Sequence, residues 1–108
     1  MKTEKILLGV TVQATTALSR FRMVDFAGAT AVVGKRVLGV AMTDFDLGEQ
    51  AGVATHGEIL VEAGAAIAAG VEIEPDANGR AVAKTTGIAF GVTRDAAAAA
   101  GDVIRVLR

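Results

Sequence analysis

The 108-residue sequence predicts an all-β fold, a small β-sandwich or partly open β-barrel with short helical turns in its connecting loops. Short β-branched runs recur at close spacing between Gly, Asp and Asn, and helical periodicity is hard to find. Thirteen Gly against a single Pro ask for a backbone that turns often and tightly, since Gly reaches positive φ without steric cost. The 52% apolar fraction is carried by Ala and Val, with four Phe and no Trp or Tyr, so the core is thin. A chain of this length fits one domain, 1–108.

Taken in order, the expected strands are Lys5 to Val12, Arg20 to Val24, Thr30 to Val33, Val37 to Thr43, Val53 to Glu62, Val71 to Glu74, Arg80 to Thr85, Ile88 to Thr93 and Val103 to Leu107. Residues 1–18, which hold Gln13-Ala14-Thr15-Thr16-Ala17, are the most plausible extended N-terminal arm. Asp76-Ala77-Asn78-Gly79 follows Pro75 and predicts a tight hairpin turn of type I′, in which both central residues need positive φ. The small-residue segments Glu62 to Gly70 and Asp95 to Gly101 are too short for independent helices. They read as single helical turns on the sheet or as broad loops, with Asp95 suited to N-capping. A faint echo also runs along the chain. Gly39-Val40, Asp44 and Ala51-Gly52-Val53 are matched by Gly91-Val92, Asp95 and Ala100-Gly101, as a repeat or as two hairpins of similar composition.

Composition excludes several classes of chemistry. There is no Cys, hence no disulfide or thiolate site, and oligomerisation is the remaining staple for a small core. A net charge of −1 gives no general basis for holding nucleic acid or an anionic membrane. Its distribution is uneven. Residues through Arg36 carry six basic and two acidic side chains, the remainder five basic and ten acidic, an asymmetry that could orient copies head to tail or against a charged partner surface, and that an ordinary solvated surface explains at least as well. Lys2 and Lys5 ahead of Ile6 to Val12 resemble a secretory signal only weakly, because the apolar stretch is short, holds Gly9 and Thr11, and has Glu4 beside it. Synthesis in the cytoplasm is the expectation.

No catalytic constellation is present. His56 is the only His and Ser19 the only Ser, and no nucleophile elbow surrounds Ser19. His56 alternating with Glu58 reads as a cross-strand polar pair or a solvent-facing ring. Asp44, Asp46 and Glu49 have the oxygen-rich character of a hard-cation loop, without EF-hand spacing, and read as turn residues. Glu58, Glu62, Glu72 and Glu74 alternate with apolar residues as the wet face of strands. No phosphate-cradling Gly-rich motif occurs. Neither a cofactor nor a metal is expected. Arg20, Phe21, Arg22, Met23 and Phe26 mix cations with aromatics; alternation puts Phe21 and Met23 on one face of a half-buried strand.

From Val37 onward the phrases V-L-G-V-A-M-T-D, G-E-Q-A-G-V-A-T-H-G-E-I-L-V, A-G-A-A-I-A-A-G-V-E-I, G-R-A-V-A-K, G-I-A-F-G-V-T and A-A-A-A-A-G-D-V-I-R-V-L resemble, in their order, the capsid cement (head decoration) proteins of tailed phages and prophages. The resemblance implies a β-rich, non-enzymatic virion protein that binds the outer surface of the head and stabilises it by bridging major capsid protein subunits. The expected partners are the major capsid protein and other copies of the chain, a homotrimer, with no nucleic acid and no membrane. The candidate interface is Leu7, Leu8, Val10, Phe21, Met23 and Phe26, apolar residues of the segments outside the familiar phrases. The alternatives are another β-rich tail or connector component, or a small ligand-binding accessory barrel of a bacterial protein.

Overall fold

The computed structural model describes residues 3–108. Eight strands, β1 (Lys5–Gln13), β2 (Met23–Asp25), β3 (Val37–Ala41), β4 (Gln50–Glu62), β5 (Glu72–Pro75), β6 (Ala81–Ala83), β7 (Gly91–Thr93) and β8 (Val103–Leu107), form one antiparallel sheet. Its order is β2-β3-β4-β8-β7-β5-β6, with β1 paired to β4. The two ends of this path meet where Met23 N donates to Gly79 O at 2.8 Å and Arg22 Nη1 to Asn78 O, so the sheet curls into a nearly closed barrel. That is the partly open barrel of the two all-β architectures expected. Among the described residues there is no helix.

The small-residue segments therefore do not form helical turns. Ile67 and Ala97 exchange both backbone hydrogen bonds, at 2.8 and 3.0 Å, which holds the two connections extended against each other. Asp95 does not cap a helix; it accepts from the backbone N–H and the guanidinium of Arg105. The segment expected as an arm contains β1, paired with β4 from Lys5↔Glu58 to Gln13↔Gln50; Met1 and Lys2 lie outside the described residues. Thr30 to Val33 is not a strand but a loop with a single bridge from Thr30 to Val24, in which Ala31 is buried and Val32 and Val33 are exposed.

The chain contains a structural duplication, of which the faint sequence echo marks only the Gly39-Val40 and Gly91-Val92 pair; Gly101 corresponds to Gly48 rather than to Gly52, and Asp44 and Asp95 are not counterparts. Leu18 and Phe45 exchange the same pair of backbone bonds as Ile67 and Ala97. Ala14 N→Glu49 O and Gly48 N→Ala14 O recur as Ala63 N→Asp102 O and Gly101 N→Ala63 O. Phe21 N→Ala41 O recurs as Gly70 N→Thr93 O. Two Asp-x-x-Gly hairpins match as well: Asp25 Oδ1 accepts from Ala27 N and Ala29 N, Asp76 Oδ1 from Asn78 N and Arg80 N. Gly79 takes positive φ but Asn78 does not, so this turn closes with a left-handed glycine after an ordinary turn rather than as type I′. β4 is shared. Its first part closes the first half against β1, and its second part opens the second half against β8.

The duplication explains the matched Gly-Val pairs. A Cβ at Gly39 would fall on Ala54 O, and one at Gly91 on Leu107 O, the corresponding carbonyl in each half. It explains the core as well. Leu18, Phe45, Ala51 and Val53 form one apolar cluster; their counterparts Ile67, Ala97, Ile104 and Val106 belong to the other. Large and small exchange across the halves (Phe45 for Ala97, Ala51 for Ile104), which preserves volume in a close-packed interior.

Phe21 marks where the halves differ. It has φ of 68°, the sole positive value at a non-glycine among the described residues, and its counterpart Gly70 has 76°. A side chain there costs about 1–2 kcal/mol. Phe21→Gly is therefore expected to be more stable than Phe21→Ala by about 1 kcal/mol, read from denaturant midpoints; equal midpoints would show that the backbone is unstrained.

Candidate interaction surface

The sequence-predicted contact residues fall into three environments. Leu7 is 72% and Leu8 50% exposed on β1, where Val10 is half-buried against the first-half cluster. Phe26 is 59% exposed at the tip of the first Asp-x-x-Gly hairpin. Phe21 is half-buried, with the Arg20 guanidinium 4.5 Å over its ring. Met23 is fully buried and drops out as a contact residue. The alternation that grouped it with Phe21 assumed an extended chain from Arg20, but the left-handed turn at Phe21 breaks that run, and the strand starts at Met23.

Two apolar surfaces emerge that sequence reasoning did not assemble. One is an open groove of about 530 Å³ lined by Leu7, Val92 and Leu107 together with Lys5, Gly57, Glu58 and Arg108. It forms because β1, β4, β8 and β7 lie side by side there, so outward-facing residues of distant segments meet. Period-two alternation does mark Leu107 as outward; only the pairing shows its neighbours. The second surface is the loop from Phe26 to Arg36, where Val32 and Val33 are exposed and a cleft lies between Asp25, Phe26, Ala27, Lys35 and Arg36. Leu47 projects separately from the connection before β4.

Two of the charged side chains at the groove, Glu58 and Arg108, are engaged in contacts of their own. Glu58 pairs with Arg94 and lies 3.4 Å from Arg105 Nε, while Arg105 reaches both carboxylate oxygens of Asp95 at 2.8 Å. The hydrogen bond to Asp95, and secondarily the carboxylate charges, hold the Arg105 guanidinium above its ordinary pKa against the opposing effect of burial. Arg108 donates to Leu38 O at 2.7 Å and stacks over Phe90 at 4.6 Å; burial, then the nearby Arg36, lowers its pKa. The Arg108 contact fastens the end of β8 to β3.

The other sequence candidates serve local structure. Asp44 accepts from Arg20 N and Glu49 from Asp46 N, and no group of three potential metal ligands is assembled among the described residues. His56 is exposed, with Nδ1 3.2 Å from Thr55 Oγ1. Glu74 is buried rather than on a wet face, because its carboxylate organises a loop by accepting from Thr85 N and Gly87 N. Glu62 is shared by Arg22 and Arg80.

A single curled sheet thus carries exposed apolar patches with charged side chains of both signs among their lining residues, the kind of surface that marks interaction sites. The chain belongs to the phage cement protein family, whose family model matches residues 1–108, and is thereby a phage capsid structural protein. Its fold is similar to the crystal structure of the head fiber gp8.5 N base in bacteriophage phi29, with a TM-score of 0.77 and 20% identity over 93% of this chain and 92% of that one. No curated protein sequence matches it.

Proposed function

We propose that this chain binds the outer surface of a phage head as a homotrimer and stabilises the shell by bridging neighbouring major capsid protein subunits, without catalysing a reaction. The observation that carries this reading is the family match along the whole chain; the similar fold of a protein described as the base of a head fiber supports it. Physically, a symmetric oligomer on a symmetric lattice engages several subunits at once and multiplies modest contacts into avidity. The surface assigned to the shell is the Phe26–Arg36 loop, since exposed aromatic and arginine side chains beside apolar ones are the composition of binding hot spots.

Co-sedimentation with undecorated, expanded heads tests both parts. Wild-type protein is expected to bind saturably. Phe26→Glu and Val33→Glu, at positions 59% and 61% exposed, are expected to fold normally and to weaken binding at least about tenfold. Absence of wild-type binding to any head form would refute the function. Undiminished binding by both variants would refute the loop assignment.

A further inference from the structure

We propose that Asn78 is a site of spontaneous chemical modification, and that its conversion to isoaspartate opens the seam at which the barrel closes. Asn78 is the only Asn of the chain and is followed by Gly79, whose missing Cβ leaves its backbone nitrogen unshielded toward the preceding side chain. Asn78 is exposed. Its backbone is engaged, the N–H on Asp76 Oδ1 and the carbonyl under Arg22 Nη1, but among the described residues no hydrogen bond holds its carboxamide. Gly79 N donates to Asp76 O at 3.3 Å, longer than an ordinary N–H···O bond, so the attacking nitrogen is weakly tied as well.

The reaction needs only water. Gly79 N gives its proton to hydroxide and attacks Asn78 Cγ; the N–Cγ bond forms, the Cγ–Nδ2 bond breaks, and ammonia leaves with a proton taken from water. Water then opens the cyclic imide. Opening at Cγ gives aspartate and restores the ordinary main chain. Opening at the main-chain carbonyl carbon gives isoaspartate, in which the chain runs through Cβ and Cγ and is longer by a methylene, and the former carbonyl is a free carboxylate.

That extra length falls where the two ends of the strand path meet. Met23 N donates to Gly79 O at 2.8 Å and Arg22 Nη1 to Asn78 O at 3.2 Å. Gly79 is buried, and even a Cβ on it would stand 2.7 Å from Thr30 Cγ2 and 3.1 Å from Met23 O. A lengthened chain has no room there, so Gly79 O is carried away from Met23 N. The duplication supplies an internal comparison. In the first-half hairpin the residue whose N–H bonds the turn aspartate at the same place is Ala27, not an Asn, so the reaction is confined to the hairpin that closes the barrel.

Incubation of the wild-type protein in mildly alkaline buffer, followed by intact mass and isoaspartate detection with an isoaspartyl methyltransferase, tests the site. The chain has no Asp-Gly pair, so isoaspartate reports position 78. The expected result is the mass gain of a single deamidation, isoaspartate in the peptide that holds Asp76 and Gly79, and a Met23 amide that exchanges at least about tenfold faster in the isoaspartate fraction than in unmodified protein. Asn78→Gln is expected to stay unmodified. Freshly prepared Asn78→Asp, which has a new charge but an ordinary main chain, is expected to keep the Met23 amide protected. A folded protein that stays unmodified while the urea-unfolded chain is converted would overturn the site. Conversion with the Met23 amide still protected would overturn the opening of the seam, and equal loss of protection in Asn78→Asp would assign the effect to charge and overturn the role of chain length. Should either variant fail to fold, comparison of the two wild-type fractions decides.

Discussion

Met23→Ala is expected to cost about 2–5 kcal/mol, the range for truncating a fully enclosed methionine that leaves a cavity. Met23 sits where the barrel closes: its N–H donates to Gly79 O, its carbonyl accepts from Ala31 N, and its side chain lies at 0% exposure in the larger apolar cluster. Neither β2 nor the β5–β6 turn has another long strand to hold it there. A loss at this point therefore acts on closure of the whole sheet. Phe26→Ala, only three residues away but exposed, is expected to stay within about 0.5 kcal/mol of wild type. Thermal melts at one fixed protein concentration compare the two, and equal melting temperatures would contradict the placement of Met23.

Gly57→Ala is expected to cost about 3 kcal/mol or more, for two reasons that add. Gly57 has φ of 118°, a conformation in which an L side chain is strained. A Cβ there would also fall on the Lys5 carbonyl and within 2.8 Å of Leu7 N, so β1 cannot keep its place. The register between β1 and β4 slips on either side of Leu8, between Ile6, Leu8 and Gly9, and Gly57 is the residue that lets the two backbones meet at that irregularity. Urea unfolding is the measurement. Faster amide exchange in Lys5 to Leu8 would accompany the loss, and a neutral substitution would contradict the described pairing.

Where side-chain alternation is confirmed by a partner strand, the sequence was a good guide: β8 and most of β4 sit where the pattern puts them. It misled where backbone chemistry overrides that pattern. Val32 and Val33 read as strand because they are β-branched, yet no strand among the described residues pairs with them. Glu74 read as solvated because it alternates with apolar residues, but loop N–H groups at Thr85 and Gly87 satisfy its carboxylate inside the protein. Met23 was misassigned because nothing in Arg20-Phe21-Arg22 announces a left-handed residue. At the same place in the second half a glycine stands, and comparing the two halves is the signal that was available. The groove escaped notice for another reason: Leu7, Val92 and Leu107 are far apart in sequence, and only the pairing order of β1, β4, β8 and β7 brings them together.

The duplicated architecture also explains how the core is closed. Each half is too small to enclose its own core, and the first half completes the second by lending it Glu4, Phe21 and Met23.

Heating phage heads with and without this protein and following DNA release tests the central claim most directly. Undecorated heads saturated with the chain are predicted to release their DNA at a higher temperature than bare heads, with the gain lost for a Phe26→Glu variant that still folds. Release at the same temperature, despite saturating protein, would contradict a stabilising role on the capsid.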